Sequence, residues 1–116
     1  MSTPDSAPHP SSGVSVVPNR HGVAVVPAGN LDLSSAHDVS DAVIEHWTAG
    51  FGEVVIDLRR TELIDSVGLR TLLTLRNDAK RNRRGLALIR PGSGAARVFD
   101  LTATRGLFDW RDESSV

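Results

Sequence analysis

The segment Asp57-Leu58-Arg59-Arg60-Thr61-Glu62-Leu63-Ile64-Asp65-Ser66-Val67-Gly68-Leu69 holds the residues best able to do chemistry. A strand ends at its start, a short loop follows, and Asp65-Ser66 opens a helical pattern. Ser66 stands where an N-cap belongs. Its hydroxyl then lies at the mouth of the helix, where unpaired N–H groups and the positive dipole end favour an anion. A phosphoryl group on that oxygen is tolerated there and adds close to two negative charges beside Asp65. Gly68 leaves the first turn open to an approaching partner or kinase. Ser is among the commonest N-caps, so the same residues also fit a cap with no further role.

Other chemistries fit less well. Ser66 is not in a Gly-x-Ser-x-Gly elbow and no His obviously faces it, so no catalytic residue is assigned. His37 and His46 are nine apart on one expected helix, which is not ligand spacing; with His9 and His21 and no Cys, no metal site is assigned. Arg90-Pro91-Gly92-Ser93-Gly94 lacks the Lys-Ser/Thr of a nucleoside-triphosphate loop and reads as a turn before a helix, and no cofactor is implied. From Arg59 to Arg90 run nine cations and three acids, a net of +6. A solvated helix face with cations at its C-terminal end accounts for this stretch, and docking of an acidic partner is the alternative. Nucleic acid is not implied, because no interleaved aromatics or reading-helix motif are present.

The elements that must position Ser66 follow from periodicity. Val14, Val16 and Val17, then Pro18 to Gly22, then Val23, Val25 and Val26 predict a hairpin, with Pro27-Ala28-Gly29 ending its second strand. Ser35 with Asp38 matches a capping box. Ala36, Val39, Val43 and Trp47 recur at helical spacing, so a helix is expected from Ser35 to Ala49, stopped by Gly50. Glu53 to Leu58 is a central strand. A long helix begins near Ser66, with Leu69, Leu72, Leu73 and Arg76 on one side and Leu75 and Ala79 continuing the pattern, and Gly85 closes it. Leu86 to Ile89 is another strand, and Ala95 to Leu101 a shorter helix whose apolar pair is Val98 and Leu101. Leu107 to Trp110 is expected as a last short edge strand. Strands alternating with helices predict an α/β fold with a mixed β-sheet of four to five strands and helices packed mainly on one face. Trp47, Phe51, Phe99, Phe108 and Trp110 read as core or rim packing.

Composition bounds the rest. The 116 residues make one domain of ordinary size. With 40% hydrophobic and 23% charged residues, the chain has the balance of a globular protein. A net charge of -1 argues against a dedicated nucleic-acid binder. Zero Cys excludes disulfide scaffolds and thiol chemistry and fits a cytoplasmic location. No apolar run reaches the roughly 18 residues of a membrane span, so membrane insertion is not expected. Residues 1–13 have almost nothing apolar to bury and are expected to form a disordered N-terminal tail before the domain at 14–116.

The segment Asp57-Leu58 … Ile64-Asp65-Ser66-Val67-Gly68-Leu69-Arg70-Thr71-Leu72-Leu73 resembles the signature of STAS domains, the fold of bacterial anti-sigma factor antagonists. Gly29-Asn30-Leu31-Asp32 is similar to that family's Gly-Glu-Leu-Asp turn. Gly85 to Ile89, Val98-Phe99-Asp100-Leu101 and Thr104-Arg105-Gly106-Leu107 match later family segments in order and spacing. The resemblance covers about Val14 to Trp110 and implies a single STAS-type domain. It further implies an anti-sigma factor antagonist that binds an anti-sigma factor with serine kinase activity and releases a sigma factor. Phosphorylation then falls on Ser66 and a metal-dependent serine phosphatase reverses it. The implied partner-binding residues are Asp32, Asn30, Asp65, Ser66, Val67, Gly68 and Leu69, in a monomeric protein. Asn30 stands where the family usually has an acid, and Val67 where many relatives have a small hydroxyl residue. The chain ends about six residues after Trp110, where many relatives carry a final amphipathic helix. The alternative is a STAS adaptor subunit of a transport or signalling assembly, in which Ser66 is a cap or contact without phosphorylation.

Overall fold

Valine-rich β1 (Val14–Asn19) and β2 (Gly22–Pro27) pair antiparallel, in register from Val14 opposite Pro27 to Asn19 opposite Gly22. The computed structural model describes residues 13–20 and 22–112. The expected tail therefore lies outside the described residues except for Gly13, whose carbonyl accepts the Ala28 N–H at 2.9 Å. Pro18 sits within β1 and is tolerated because β1 is an edge strand.

Two crossovers follow. β3 (Gly29–Leu31) leads into α1 (Leu33–Thr48), which returns the chain to β4 (Glu53–Asp57). β5 (Thr61–Ile64) leads into α2 (Ser66–Arg81), which returns it to β6 (Gly85–Ile89). α3 (Ser93–Leu101), a short 3-10 turn at Arg105–Leu107 and β7 (Trp110–Arg111) complete the described chain. The main sheet has five strands in the order β1-β2-β4-β6-β7, parallel from β2 onward. It is the expected mixed sheet with helices on one face. β3 and β5 form a separate two-stranded parallel pair, in segments whose sequence predicts only a turn and a loop.

The core lies between the main sheet and the helices. Val23 and Val25, Val54 and Ile56, and Leu88 face the buried stripe Ala36, Val39, Val43 and Trp47 of α1 and Leu69, Leu72, Leu75 and Ala79 of α2. A smaller cluster, Ala24, Val26, Val55, Ala87 and Ile89, occupies the other face of the sheet. The Trp47 indole N–H donates to the Gly85 carbonyl at 3.1 Å and ties α1 to the start of β6. Phe99 of α3 meets Phe108 and Trp110 edge-on, with ring centroids 5.6 and 5.1 Å apart, so these aromatics pack together as core and rim.

Several expected boundaries move, each for a local reason. α1 begins at Leu33, because Asp32 is the cap and Ser35 is its N3 partner. Gly85 does not close α2. Arg83 takes the left-handed conformation at φ 55° and the Arg84 N–H reaches back to the Ala79 carbonyl, which leaves Gly85 to start β6. α3 starts at Ser93, and it buries Ala95 and Phe99 while Leu101 is 77% exposed. The last strand is Trp110–Arg111, since residues 105–107 form the 3-10 turn. No described helix is long and apolar enough to cross a membrane.

Candidate functional site at two adjacent helix N-termini

The β3–β5 pair sets the site. Its register ends with Leu31 opposite Ile64, and the next residue on each strand, Asp32 or Asp65, caps the helix that follows. Two helix N-termini therefore lie side by side, each closed by an aspartate. The Asp65 N–H donates to the Leu31 carbonyl at 3.2 Å and locks the two helix starts together.

The caps differ in detail. Around Asp32 a full capping box forms: Oδ1 accepts from the Ser34 N–H at 3.0 Å and the Ser34 hydroxyl at 2.8 Å. The Asp32 N–H in turn donates to Ser35 Oγ at 3.1 Å. Ser35 is buried, and its hydroxyl donates to the Asn30 carbonyl at 2.8 Å. The Ser34 hydroxyl, together with backbone N–H groups, holds the Asp32 carboxyl below its ordinary range. At the start of α2, Asp65 Oδ1 accepts the Gly68 N–H at 2.8 Å. The N-cap is thus Asp65 and not Ser66. Ser66 is the first helical residue, exposed, with no hydrogen-bond partner for its hydroxyl among the described residues.

Asn30, Asp32, Asp65 and Ser66 are brought to one end of the molecule, and Val67 is half-buried beside them. Gly68 and Leu69 are not surface residues. Gly68 is buried, and a Cβ built on it would run into the Leu31 carbonyl oxygen. Its lack of a side chain lets α2 approach β3 and does not open the turn to a partner. Leu69 is 7% exposed and belongs to the core.

Three exposed residues at this end were not among the expected site residues. Leu33, the first residue of α1, is 75% exposed, and Leu63, beside Asn30 on the strand pair, is 53% exposed. Burial along β5 does not alternate, since Thr61 and Ile64 are buried while Glu62 and Leu63 are exposed, so no period-two signal marks Leu63 as a surface residue. Arg70 is the third. It borders a groove between α1 and α2 of about 270 Å³, shared with Leu33, Ala36, His37, Val67 and Thr71. His37 Nε2 lies 3.3 Å from Asp41 on the same helix.

Asp57 and Arg59 precede the loop into β5. Burial raises the Asp57 carboxyl, but Arg59 outweighs it through guanidinium bonds of 3.0 and 2.7 Å and its own N–H at 3.0 Å, leaving the carboxyl below its ordinary value. Among the described residues no group of three or more His, Cys, Asp or Glu is placed to hold a metal ion.

A mixed sheet with helices on one face, joined to an Asp-Ser helix start beside a second capped helix, is the STAS class of domain. The chain belongs to that family: a family model described as "Mlab, STAS domain" matches residues 14–108. No curated protein matches it by sequence. Among solved structures, an anti-sigma factor antagonist from Mycobacterium paratuberculosis is 23% identical with a TM-score of 0.72, over 84% of this chain and 82% of that one. The anti-sigma factor antagonist SpoIIAA in its unphosphorylated form is 16% identical with a TM-score of 0.70, over 87% and 90%. The Bacillus cell fate determinant SpoIIAA in the phosphorylated form is 14% identical with a TM-score of 0.64, over 87% and 93%. At these identities the likeness is one of fold.

Proposed function

We propose that this protein is an anti-sigma factor antagonist of the cytoplasm that acts by binding, not by catalysis. In this reading it binds an anti-sigma factor that is also a serine kinase and so frees a sigma factor, and phosphorylation of Ser66 switches it off. The kinase transfers the γ-phosphoryl group of ATP to Ser66 Oγ: the bond to the ADP leaving group breaks, the ester bond forms, and the hydroxyl proton passes to a base of the kinase. A metal-dependent phosphatase hydrolyses the ester with water and returns serine and inorganic phosphate.

The observation that carries the reading is the division of labour at α2. Asp65 does the capping, and Ser66 presents an exposed hydroxyl, unpartnered among the described residues, one residue inside the helix. Asp32 and Asp65 flank the surface, so a phosphoryl group there meets like charges and a partner must desolvate more of them. A loss of about 3 kcal/mol corresponds to roughly a hundredfold in affinity, enough for a switch. The fold likeness to SpoIIAA in both phosphorylation states supports the same reading.

Intact-protein mass spectrometry after incubation with the candidate anti-sigma kinase, ATP and magnesium tests it. Wild type gains a single phosphoryl group and Ser66→Ala gains none; phosphorylation persisting in the variant overturns the site. Ser66→Asp weakens binding to the anti-sigma factor and Ser66→Ala retains it. The matching family model is described by the name Mlab and not as an antagonist. STAS membership alone does not make a chain an antagonist, and the second reading is a STAS adaptor subunit of a transport or signalling assembly in which Ser66 stays unmodified. Co-purification with a transporter ATPase supports that reading, and co-purification with a histidine-kinase-like anti-sigma factor supports the first.

A further inference from the structure

Ser66 and Arg70 are the first and fifth residues of α2. Residues four apart on a helix share a face, with Cβ atoms about 5–6 Å apart. Helical side chains lean toward the N-terminus, so the long Arg70 side chain, which here borders the α1–α2 groove, is able to reach back to the serine. Both residues are exposed, and among the described residues Arg70 has no hydrogen-bond or ion-pair partner. Two other cations on the helix are engaged elsewhere: Arg76 donates to the Leu107 carbonyl at 2.7 Å, and Arg81 pairs with Asp78, while Lys80 lies roughly four turns away. The carboxylates at the two helix N-termini are already committed, Asp65 to the Gly68 N–H and Asp32 to Ser34. Across the groove on α1, His37 faces Asp41. Arg70 is therefore the uncommitted cation, among the described residues, within one turn of the serine on its face of the helix.

We propose that Arg70 is the internal counter-ion for a phosphoryl group on Ser66, and that the same guanidinium otherwise borders the α1–α2 groove. The proposal rests on Ser66 as the phosphate acceptor. With the hydroxyl bare, Arg70 stands at the groove beside Leu33 and Val67, a cation with an apolar rim open to a partner. With the phosphate present, the guanidinium turns to the helix start. Phosphorylation then alters the surface twice, by adding negative charge and by withdrawing the groove's cation. The clamp needs a long cation at position 70, because a small or neutral residue there leaves the phosphate facing Asp32 and Asp65 alone.

Phosphoserine is built into position 66 of the full chain during synthesis, so the test needs no kinase. Phosphorus NMR then follows the phosphate against pH in the wild-type background and in Arg70→Gln, Arg70→Lys and Lys80→Gln, with circular dichroism confirming that each is folded. The second phosphate ionisation, near pH 6 for a free phosphoserine, moves up by about 0.3 unit or more in Arg70→Gln, a twofold change in proton affinity. Arg70→Lys keeps most of the wild-type value, and Lys80→Gln, roughly four turns from the serine, leaves it unchanged. Equal shifts in Arg70→Gln and Lys80→Gln, or none in either, overturn the clamp. Because the phosphate is installed chemically, that result leaves the kinase assay on Ser66 untouched. Conversely, a failed kinase assay does not alter the NMR outcome.

Discussion

Gly68→Ala sets two physical effects of opposite sign against each other. Helix propensity alone favours Ala over Gly by up to about 1 kcal/mol within a helix. The packing of α2 on β3 opposes it: the new Cβ would run into the Leu31 carbonyl oxygen and lie 3.0 Å from Leu31 Cγ. That carbonyl is backbone, fixed in the β3–β5 pair and bonded to the Asp65 N–H at 3.2 Å, so it cannot swing away as a side chain would. The helix start has to back off, which costs about 1–3 kcal/mol as overpacking. It also stretches the Asp65–Leu31 bond, worth about 1 kcal/mol. After subtracting the propensity gain, the net loss is about 1–3 kcal/mol, a fall in Tm of roughly 5–20 °C for a domain of this size. Urea denaturation of both proteins measures it. Gly94→Ala in α3 is the matched control, since its nearest contact would be the Glu62 carbonyl at 3.5 Å, an ordinary separation. It should be neutral or stabilising by up to about 1 kcal/mol. A Gly68→Ala protein as stable as wild type or more so would refute the close-approach explanation.

Three further outcomes follow from the same geometry. Asp65→Ala removes the cap of α2 and costs about 1 kcal/mol in urea unfolding, whereas Ser66→Ala changes stability by less than about 0.5 kcal/mol; the reverse order would return the capping role to the serine. Asp57 has a folded pKa below its unfolded value of 3.8, so its stabilisation is present above that value and is lost as pH falls through the lower folded pKa. Urea midpoints measured from about pH 6 down to about pH 2.5 should show the advantage of wild type over Asp57→Asn shrinking at the acid end, and a constant gap would contradict it. Phe99→Ala empties the buried centre of the Phe108–Trp110 cluster and should cost about 3–5 kcal/mol, read from the chemical unfolding midpoint.

The long helices were legible because their burial writes itself into the sequence every three to four residues. Ala36, Val39, Val43 and Trp47 carry α1, and Leu69, Leu72 and Ala79 carry α2. β3 and β5 were not, because three and four residues offer no period to detect and each is partly exposed. The caps failed for a different reason. Asp32 and Ser35 are the two ends of one capping box, and Asp65 and Ser66 are neighbouring good caps, so local preference does not choose between them. Tertiary structure chooses. The bond from the Asp65 N–H to Leu31 keeps Asp65 extended, at φ -92° and ψ -175°, and the helix can begin only at the next residue. Gly68 misled in the same way, since an open turn and a close backbone approach both require Gly and differ only in what lies opposite.

That tertiary choice shapes the electrostatics of the serine. Had Ser66 been the cap, its hydroxyl would be engaged with a backbone N–H, and modifying it would strip α2 of its cap. One residue further in, the hydroxyl has no partner among the described residues, so a charge added there would cost the fold little. The positive ends of both helix dipoles meet here, which favours an anion, but each already faces an aspartate. Those carboxylates offset much of the attraction that a bare helix N-terminus would offer. A phosphate placed on Ser66 would therefore be neither strongly stabilised by the helix nor needed by it, and its charge would be left to act outward from this face. The balance of the local field would then fall to the nearest uncommitted cation among the described residues, which on this helix face is Arg70.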